Sequence, residues 1–248
     1  MTLDVIYEQV YLKLGKDAYG NVVTPDSFNK ALSYSNIEKL NDYLVVLEQD
    51  EEMIDNLRPF VITLGESSSS PVYLDDYGYA VLPSDYVRYV QSSRMDYTNN
   101  TTGSTEVYRH IEMLSNKDFS YRLSTSLYSP TLSRPIATIQ NEKLLVRPRG
   151  INDISFTYVR MPLTPNYDYD FSDITFLPVY LPPGTDHGDL PDTTVRPGFT
   201  AGDPSESVEL EWPEDVHDDI INIIYKFFAI NLKDLSSLQT IEIEKGRP

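Results

Sequence analysis

The sequence predicts an α+β protein, in which a helical bundle carries an inserted, mainly antiparallel β domain. Helical periodicity dominates residues 1–58 and returns near residue 213. Short β-rich stretches separated by turn residues fill residues 59–164. A hydrophobic content of 40% and a charged content of 23% are ordinary for a globular protein, and 248 residues are enough to bury a core.

The first 58 residues predict a helical hairpin. The first helix follows from apolar residues at helical spacing, namely Leu3, Ile6, Tyr7, Val10 and Leu14. The second helix begins where Thr24 can act as N-cap, Pro25 occupies the first position and Asp26 lies in the first turn. It continues to about Gln49, and further helical turns are expected before Pro59.

Residues 59–164 predict a mainly β region with one short helix. The strand candidates are 60–64, 73–74, 80–82, 106–113, 136–139, 143–146 and 154–160. The two strand candidates on either side of residues 140–142 predict a hairpin. The helix is expected at 115–125, with Ser115 as cap and with Phe119 and Leu123 facing inward.

Residues 165–205 differ in composition from the rest of the chain. They hold seven of the 17 prolines, four of the 11 glycines and seven Asp, but no Glu or Lys. This composition disfavours regular structure and predicts a long extended excursion. Its apolar runs, 174–177 and 179–181, indicate that it packs on something, such as a neighbouring subunit; plain disorder is the alternative.

Residues 206–235 predict a strand that leads into the helix completing the bundle. Val208–Glu211 alternates apolar and acidic residues, and Pro213 then opens a helix that Asn231 can end. One broad apolar face is formed by Val216, Ile220, Ile223, Ile224, Phe227 and Phe228. The acids from Glu214 to Asp219 predict a charged polar face, and 236–248 is read as a polar C-terminal tail.

The charge balance narrows the classes of partner. With 38 acids against 20 bases, the net charge is −18, which disfavours tight nucleic-acid binding through phosphate neutralisation. The 19 tyrosines suit strand surfaces and protein interfaces. No apolar run is long enough to span a membrane, and no signal peptide is recognised. Because cysteine is absent, disulfides and thiolate sites are excluded.

The sequence offers no catalytic, cofactor or metal motif. It has no phosphate-binding loop, no nucleophile elbow and no zinc-protease motif, so no enzyme is expected. Its three histidines, His110, His187 and His217, lie far apart. A metal site at 186–189 is a minor alternative, because that stretch offers two Asp and one His within a proline-rich loop.

Two other groups of acidic residues are candidate metal-binding sites. His217 next to Asp218 and Asp219 allows a metal or pH-sensitive role, but a solvated acidic helix face is the favoured interpretation. The acids Asp168, Asp170 and Asp173 lack the glycine that a calcium loop requires at its sixth position.

Four segments, in order, resemble the head-to-tail connector (neck ring, or adaptor) proteins of crAss-like tailed bacteriophages. They are GKDAYGNVVTPDSFNKALSYSNIEKLNDYL at 15–44, LPSDY at 82–86, the stretch 114–162 with LSNKDFSYRLST and TYVRMP, and SVELEWPEDVHDDIINIIYKFFAINLKDL at 207–235. They cover about two-thirds of the chain, and their order carries more information than any one motif. The chain departs from the pattern at 165–205, where the known form is much shorter.

The resemblance implies a structural virion protein without catalytic residues, assembled in the cytoplasm of the host bacterium. Copies would form a ring, usually of twelve, in the neck between the portal protein and the tail, with other neck and tail proteins as partners. DNA would pass through the channel without specific binding, helped by weak repulsion from an acidic wall. The alternatives are another capsid- or tail-associated structural protein and, less favoured, a secreted glycan-binding module or hydrolase.

Overall fold

The computed structural model describes residues 1–14, 23–46, 52–65, 72–90, 94–98 and 106–231. It confirms the α+β class. The described helices are α1 (Leu3–Leu14), α2 (Pro25–Val46), α3 (Glu52–Leu57), α4 (Asn116–Ser124) and α5 (Glu214–Asn231). The first seven strands are β1 (Val61–Leu64), β2 (Val72–Tyr73), β3 (Tyr79–Val81), β4 (Tyr86–Tyr89), β5 (Arg94–Thr98), β6 (Glu106–His110) and β7 (Glu112–Met113). The remaining strands are β8 (Ile136–Gln140), β9 (Lys143–Arg147), β10 (Asp153–Ile154), β11 (Phe156–Arg160), β12 (Tyr169–Ser172), β13 (Pro178–Tyr180) and β14 (Thr193–Thr194).

The chain divides into two compact units. Unit 1 combines residues 1–59 with 162–248, and unit 2 is the contiguous stretch 60–161. Unit 1 is therefore assembled from both ends of the sequence, whereas unit 2 is an insertion between them.

Unit 1 is built on the expected helical bundle. Helix α5 packs against both α1 and α2, and its buried face is broader than the sequence predicts, since Ile221 and Tyr225 join the predicted apolar residues. Leu3, Ile6 and Val10 of α1 are completely buried, as α1's periodicity requires. Edge-to-face contact between Tyr7 and Phe28, with ring centroids 5.1 Å apart, joins α1 to α2.

Among its described residues, unit 2 contains small sheets and two apolar clusters, the smaller of which is formed by Phe119, Ile136 and Leu145. A four-stranded sheet has the order β3-β9-β8-β7, and a three-stranded antiparallel sheet has the order β1-β11-β4. Strands β8 and β9 form the predicted hairpin, whose turn places Asn141 and Glu142 at positive φ. The core of the unit is formed by Ala80, Ile111, Ala137, Leu144, Val146, Ile151, Ile154, Phe156 and Tyr158.

Residues 165–205 are folded, which corrects the expectation of an excursion without regular structure. Strand β12 pairs with β13 and with β14 to form a three-stranded antiparallel sheet. Tyr167 and Leu181 are buried, and Tyr167 lies against Tyr7 with ring centroids 4.7 Å apart. The segment thus packs on the helices of its own unit. Composition misled the prediction because the Asp side chains are used inside the segment as hydrogen-bond acceptors.

The predicted strand at Val208–Glu211 is also corrected. Only an isolated bridge between Asn166 and Val208 forms there. The acids that alternate in this stretch do not face solvent as in a half-buried strand. Glu209 instead accepts the N–H of Leu3 at 2.9 Å, and Glu211 accepts that of Leu163 at 2.7 Å. The expected C-terminal tail, 236–248, lies outside the described residues.

Candidate interface: a clamped apolar finger

A buried polar cluster lies at the centre of the 165–205 segment. The side chains of Asp168, Asp170 and His187 are completely buried. His187 Nδ1 lies 2.7 Å from Asp170 Oδ1, and its Nε2 lies 3.2 Å from Asp168 Oδ2. Arg196 faces the other oxygen of Asp168 at 2.9 Å, so both carboxylates have a nitrogen partner, as buried charges require.

Backbone N–H groups and one aromatic ring complete the cluster. Asp170 accepts the backbone N–H of Gly188 at 3.0 Å and that of Arg196 at 3.3 Å. Burial alone would raise the pKa of Asp170, but the hydrogen bonds from His187 and the two backbone N–H groups outweigh it and lower that pKa. Phe199 stacks on the His187 ring at 4.4 Å and lies under the Arg196 guanidinium at 4.1 Å.

The cluster acts as a structural clamp. A histidine between two carboxylates also occurs in catalytic and metal sites. Here, however, all three side chains have no exposed surface, so a substrate cannot reach the imidazole. No group of three potential metal ligands with suitable geometry occurs among the described residues. The contacts join β12, the loop at 186–189 and the loop at 196–199, and so fix them relative to one another.

An exposed apolar loop, residues 173–177, follows the strand that carries Asp170, and we call it the finger. It connects β12 to β13, and its tip exposes 76% of Ile174, 77% of Phe176 and 51% of Leu177. Hydrogen bonds order its base, among them Phe176 N–H to the Ser172 carbonyl at 2.9 Å, Ser172 N–H to the Leu177 carbonyl at 2.9 Å, and Thr194 Oγ1–H to Asp173. The finger is therefore held in one conformation while its apolar side chains face water.

Phe176 is also strained. Its φ of 56° lies in the left-handed region, which bulky side chains avoid at a cost of about 1–2 kcal/mol. Burial does not offset this cost within the chain, because most of the ring is exposed. A strained, exposed aromatic residue on an ordered loop is typical of a binding site rather than of a core.

A cluster of tyrosines joins the 165–205 segment to helix α1. Tyr167 lies between Tyr7 and Tyr180, at centroid distances of 4.7 and 5.0 Å. Burial raises the pKa of Tyr7 to about 12, and it also raises the pKa values of Tyr167 and Tyr180. These phenols stay neutral at physiological pH. Part of the tyrosine excess is thus core of unit 1 rather than solvent-facing strand surface.

The structure separates the three histidines that the sequence singled out. His187 joins Asp168 and Asp170 in the clamp, a grouping that sequence reasoning did not make. His217 is buried, with Nε2 3.0 Å from the Trp212 carbonyl, which corrects its assignment to a solvated face. The acids around it, Glu214, Asp215, Asp218 and Asp219, are exposed as predicted. His110 lies in unit 2 and is exposed.

The single tryptophan is not available for stacking on a sugar. Trp212 is buried, and its indole N–H donates to Asn36 Oδ1 at 2.6 Å. This finding weighs further against the glycan-binding alternative.

Sequence reasoning missed the finger as a surface feature. The one signal for it in the sequence is that the run 174–177 is too apolar for a solvated linker. Which of its side chains point outward depends on the β12–β13 register, where Phe171 is opposite Pro178.

No described helix is long and apolar enough to cross a membrane. Comparison with protein-family models and with curated proteins finds no match to this chain.

Proposed function

We propose that this protein is a structural component of a tailed-phage virion, which assembles through its finger into a ring in the neck between portal and tail. The carrying observation is the finger itself, with three large apolar side chains exposed on a loop whose base is hydrogen-bonded. Such a surface destabilises a monomer and is useful once a partner covers it. The order of the four resembling segments supports the neck as the location.

The charge of the chain suits a position around a DNA channel. A net charge of −18 repels phosphates, so a ring with this charge would let DNA pass without holding it. The four exposed acids at the start of α5 are candidates for the channel-facing surface. We expect DNA to pass close by without specific binding.

Assembly of the purified full-length chain tests the proposal. Native mass spectrometry and mass photometry, alone and with the portal protein, should reveal a closed oligomer, with twelve copies as the expected number. A ring contact of this kind is heterologous, so mass should increase to one closed size. A chain that stays monomeric at high concentration and also ignores the portal protein would contradict the proposal.

A different capsid- or tail-associated structural role is the alternative, because an apolar finger would serve any virion contact. Electron microscopy of particles carrying a tagged copy separates the two. Label confined to the neck supports the connector role, and label on the capsid shell or along the tail supports the alternative.

A further inference from the structure

Unit 2 carries a cavity of about 480 Å³ whose chemistry is opposite to that of the chain as a whole. Two arginines, Arg122 and Arg134, line it together with His110, and Glu112 is its only acid among the described lining residues. Glu112 pairs with Arg122 at 3.0 Å. Arg134 is exposed and has no ion-pair partner in the described part of the chain. An unneutralised guanidinium thus faces a cavity on a protein of charge −18.

Part of the rim of this cavity is apolar, although Ser129, Thr131 and Ser133 also line it. Leu127 is 80% exposed and Tyr128 is 52% exposed, and both line the cavity. The Tyr128 ring lies 5.7 Å from the Arg122 guanidinium, which holds that side of the rim in place. A guanidinium next to the exposed side chains of Leu127 and Tyr128 suits a protein carboxylate that is flanked by hydrophobic side chains.

The finger offers this combination. Asp173 is exposed and begins a loop in which Ile174, Phe176 and Leu177 are also exposed. Thr194 occupies one oxygen of the Asp173 carboxylate. The other carboxylate oxygen of Asp173 has no hydrogen-bond partner among the described residues, so it can accept a hydrogen bond from a guanidinium.

From this complementarity we propose that the finger of one copy enters the unit 2 cavity of a second copy. Asp173 pairs with Arg134, and Phe176 packs against Leu127. Because the two surfaces differ, the contact is heterologous, and repeating it gives a ring or an open filament according to the rotation between copies. A central aromatic anchor beside an arginine is the usual composition of an energetic hot spot. The inference rests on the assembly proposed above and identifies the residues that make it.

Cysteine crosslinking tests the contact directly, since the natural chain has no cysteine. Phe176→Cys and Leu127→Cys are made as separate full-length variants with tags of different size, then mixed under a mild oxidant. We expect a disulfide-linked dimer of the two variants as the main product. Val81→Cys is the matched control, because Val81 is 75% exposed on β3 of the same unit. If Phe176→Cys forms a disulfide with Val81→Cys in the same yield as with Leu127→Cys, the inference is overturned.

A mixing experiment tests the direction of assembly. A finger variant, Ile174→Ser with Phe176→Ser, keeps an intact cavity, and a cavity variant, Arg134→Glu, keeps an intact finger. Each alone should require at least tenfold higher concentration to assemble, while an equimolar mixture should stop at a dimer with one working contact. All three positions are exposed, and thermal melts equal to wild type would exclude misfolding.

The two proposals fail in different ways. A wild-type ring that persists unchanged in both variants overturns the finger–cavity contact and leaves the ring standing. A wild-type chain that does not assemble, together with Phe176→Cys and Leu127→Cys variants that do not crosslink, with or without the portal protein, overturns both. Failure of the Phe176→Cys and Leu127→Cys crosslink, together with binding of duplex DNA by the wild-type chain that Arg134→Glu abolishes, would show that the cavity takes phosphate and would overturn the contact.

Discussion

At the scale of single residues, the Asp168–His187–Asp170 arrangement explains how an Asp- and Pro-rich segment folds. Each carboxylate oxygen that burial removes from water has an N–H or guanidinium group nearby, so the desolvation cost is offset locally. Buried charges contribute less to stability than to fixing one arrangement. The clamp's main effect is therefore that β12 and the loops at 186–189 and 196–199 have defined positions.

Asp170→Asn should destabilise the protein by about 3 kcal/mol at pH 7, because it removes a buried carboxylate on which several hydrogen bonds converge. The amide keeps one acceptor but turns an NH₂ group toward donors such as the Gly188 N–H. Urea denaturation measures the free energy of unfolding. Asp189→Asn is the control, since Asp189 is exposed in the same segment, and it should change that free energy by less than about 0.5 kcal/mol.

The same variant has a pH signature. Because the pKa of Asp170 is lowered in the folded protein, its carboxylate stabilises the fold fully above the unfolded pKa of about 3.9. That contribution is lost as pH falls through the folded pKa. The difference in stability between wild type and Asp170→Asn should thus shrink below about pH 4. A difference that stays constant from pH 7 to pH 3 would mean that the charge of Asp170 is not what stabilises the segment.

At the scale of elements, helix α2 is tied to the C-terminal part of unit 1 by one buried amide. Asn36 accepts from the Trp212 indole N–H at 2.6 Å and donates to the Leu163 carbonyl at 3.1 Å. Asn36 is 3% exposed and its bond to the Trp212 indole is buried, so water does not replace it as the acceptor of that N–H. One residue therefore connects α2, the chain entering the 165–205 segment, and the start of α5.

Asn36→Ala should cost about 1–3 kcal/mol, because it leaves the buried indole N–H of Trp212 without its acceptor. Thermal and urea unfolding would measure this loss. Asn41→Ala on the same helix is the matched control, since Asn41 is exposed and alanine has the higher helix propensity. Equal effects from the two changes would show that the bridge at Asn36 contributes nothing.

The helices could be predicted from the sequence because their signals are local. Thr24 and Ser115 cap helices as expected, with their hydroxyls accepting the N–H groups of Ser27 and Asp118. The clamp could not be predicted, because it joins Asp168, His187 and Arg196 across turns whose geometry is not local in sequence. Glu209 and Glu211 likewise mimic a strand pattern while serving distant N–H groups. Polar residues recruited over long range are what periodicity cannot detect.

At the scale of the whole molecule, the two proposed contact surfaces belong to different compact units of the chain. The finger belongs to unit 1, which is assembled from both ends of the sequence, and the cavity belongs to unit 2, which is contiguous. Unit 1 needs both of its parts, because α1 and α2 pack on α5 and Tyr167 packs on Tyr7. Deleting residues 165–205 would thus remove core as well as finger. Point changes at the tip are the cleaner way to separate assembly from folding.

Unit 2 should fold on its own as the fragment 60–161. It has its own core, in which Val146, Ile154 and Phe156 are completely buried, and a contiguous chain. Its roughly 100 residues predict a cooperative melt with an enthalpy of about 60–80 kcal/mol by calorimetry. The fragment 1–59 is the control: it lacks α5 and should show no cooperative transition.

The fragment 60–161 carries the cavity without the finger, so in excess it should occupy the fingers of the full-length chain and limit assembly. A featureless melt for 60–161 would contradict the independence of the unit. A folded fragment that leaves assembly unchanged would instead count against the finger–cavity contact.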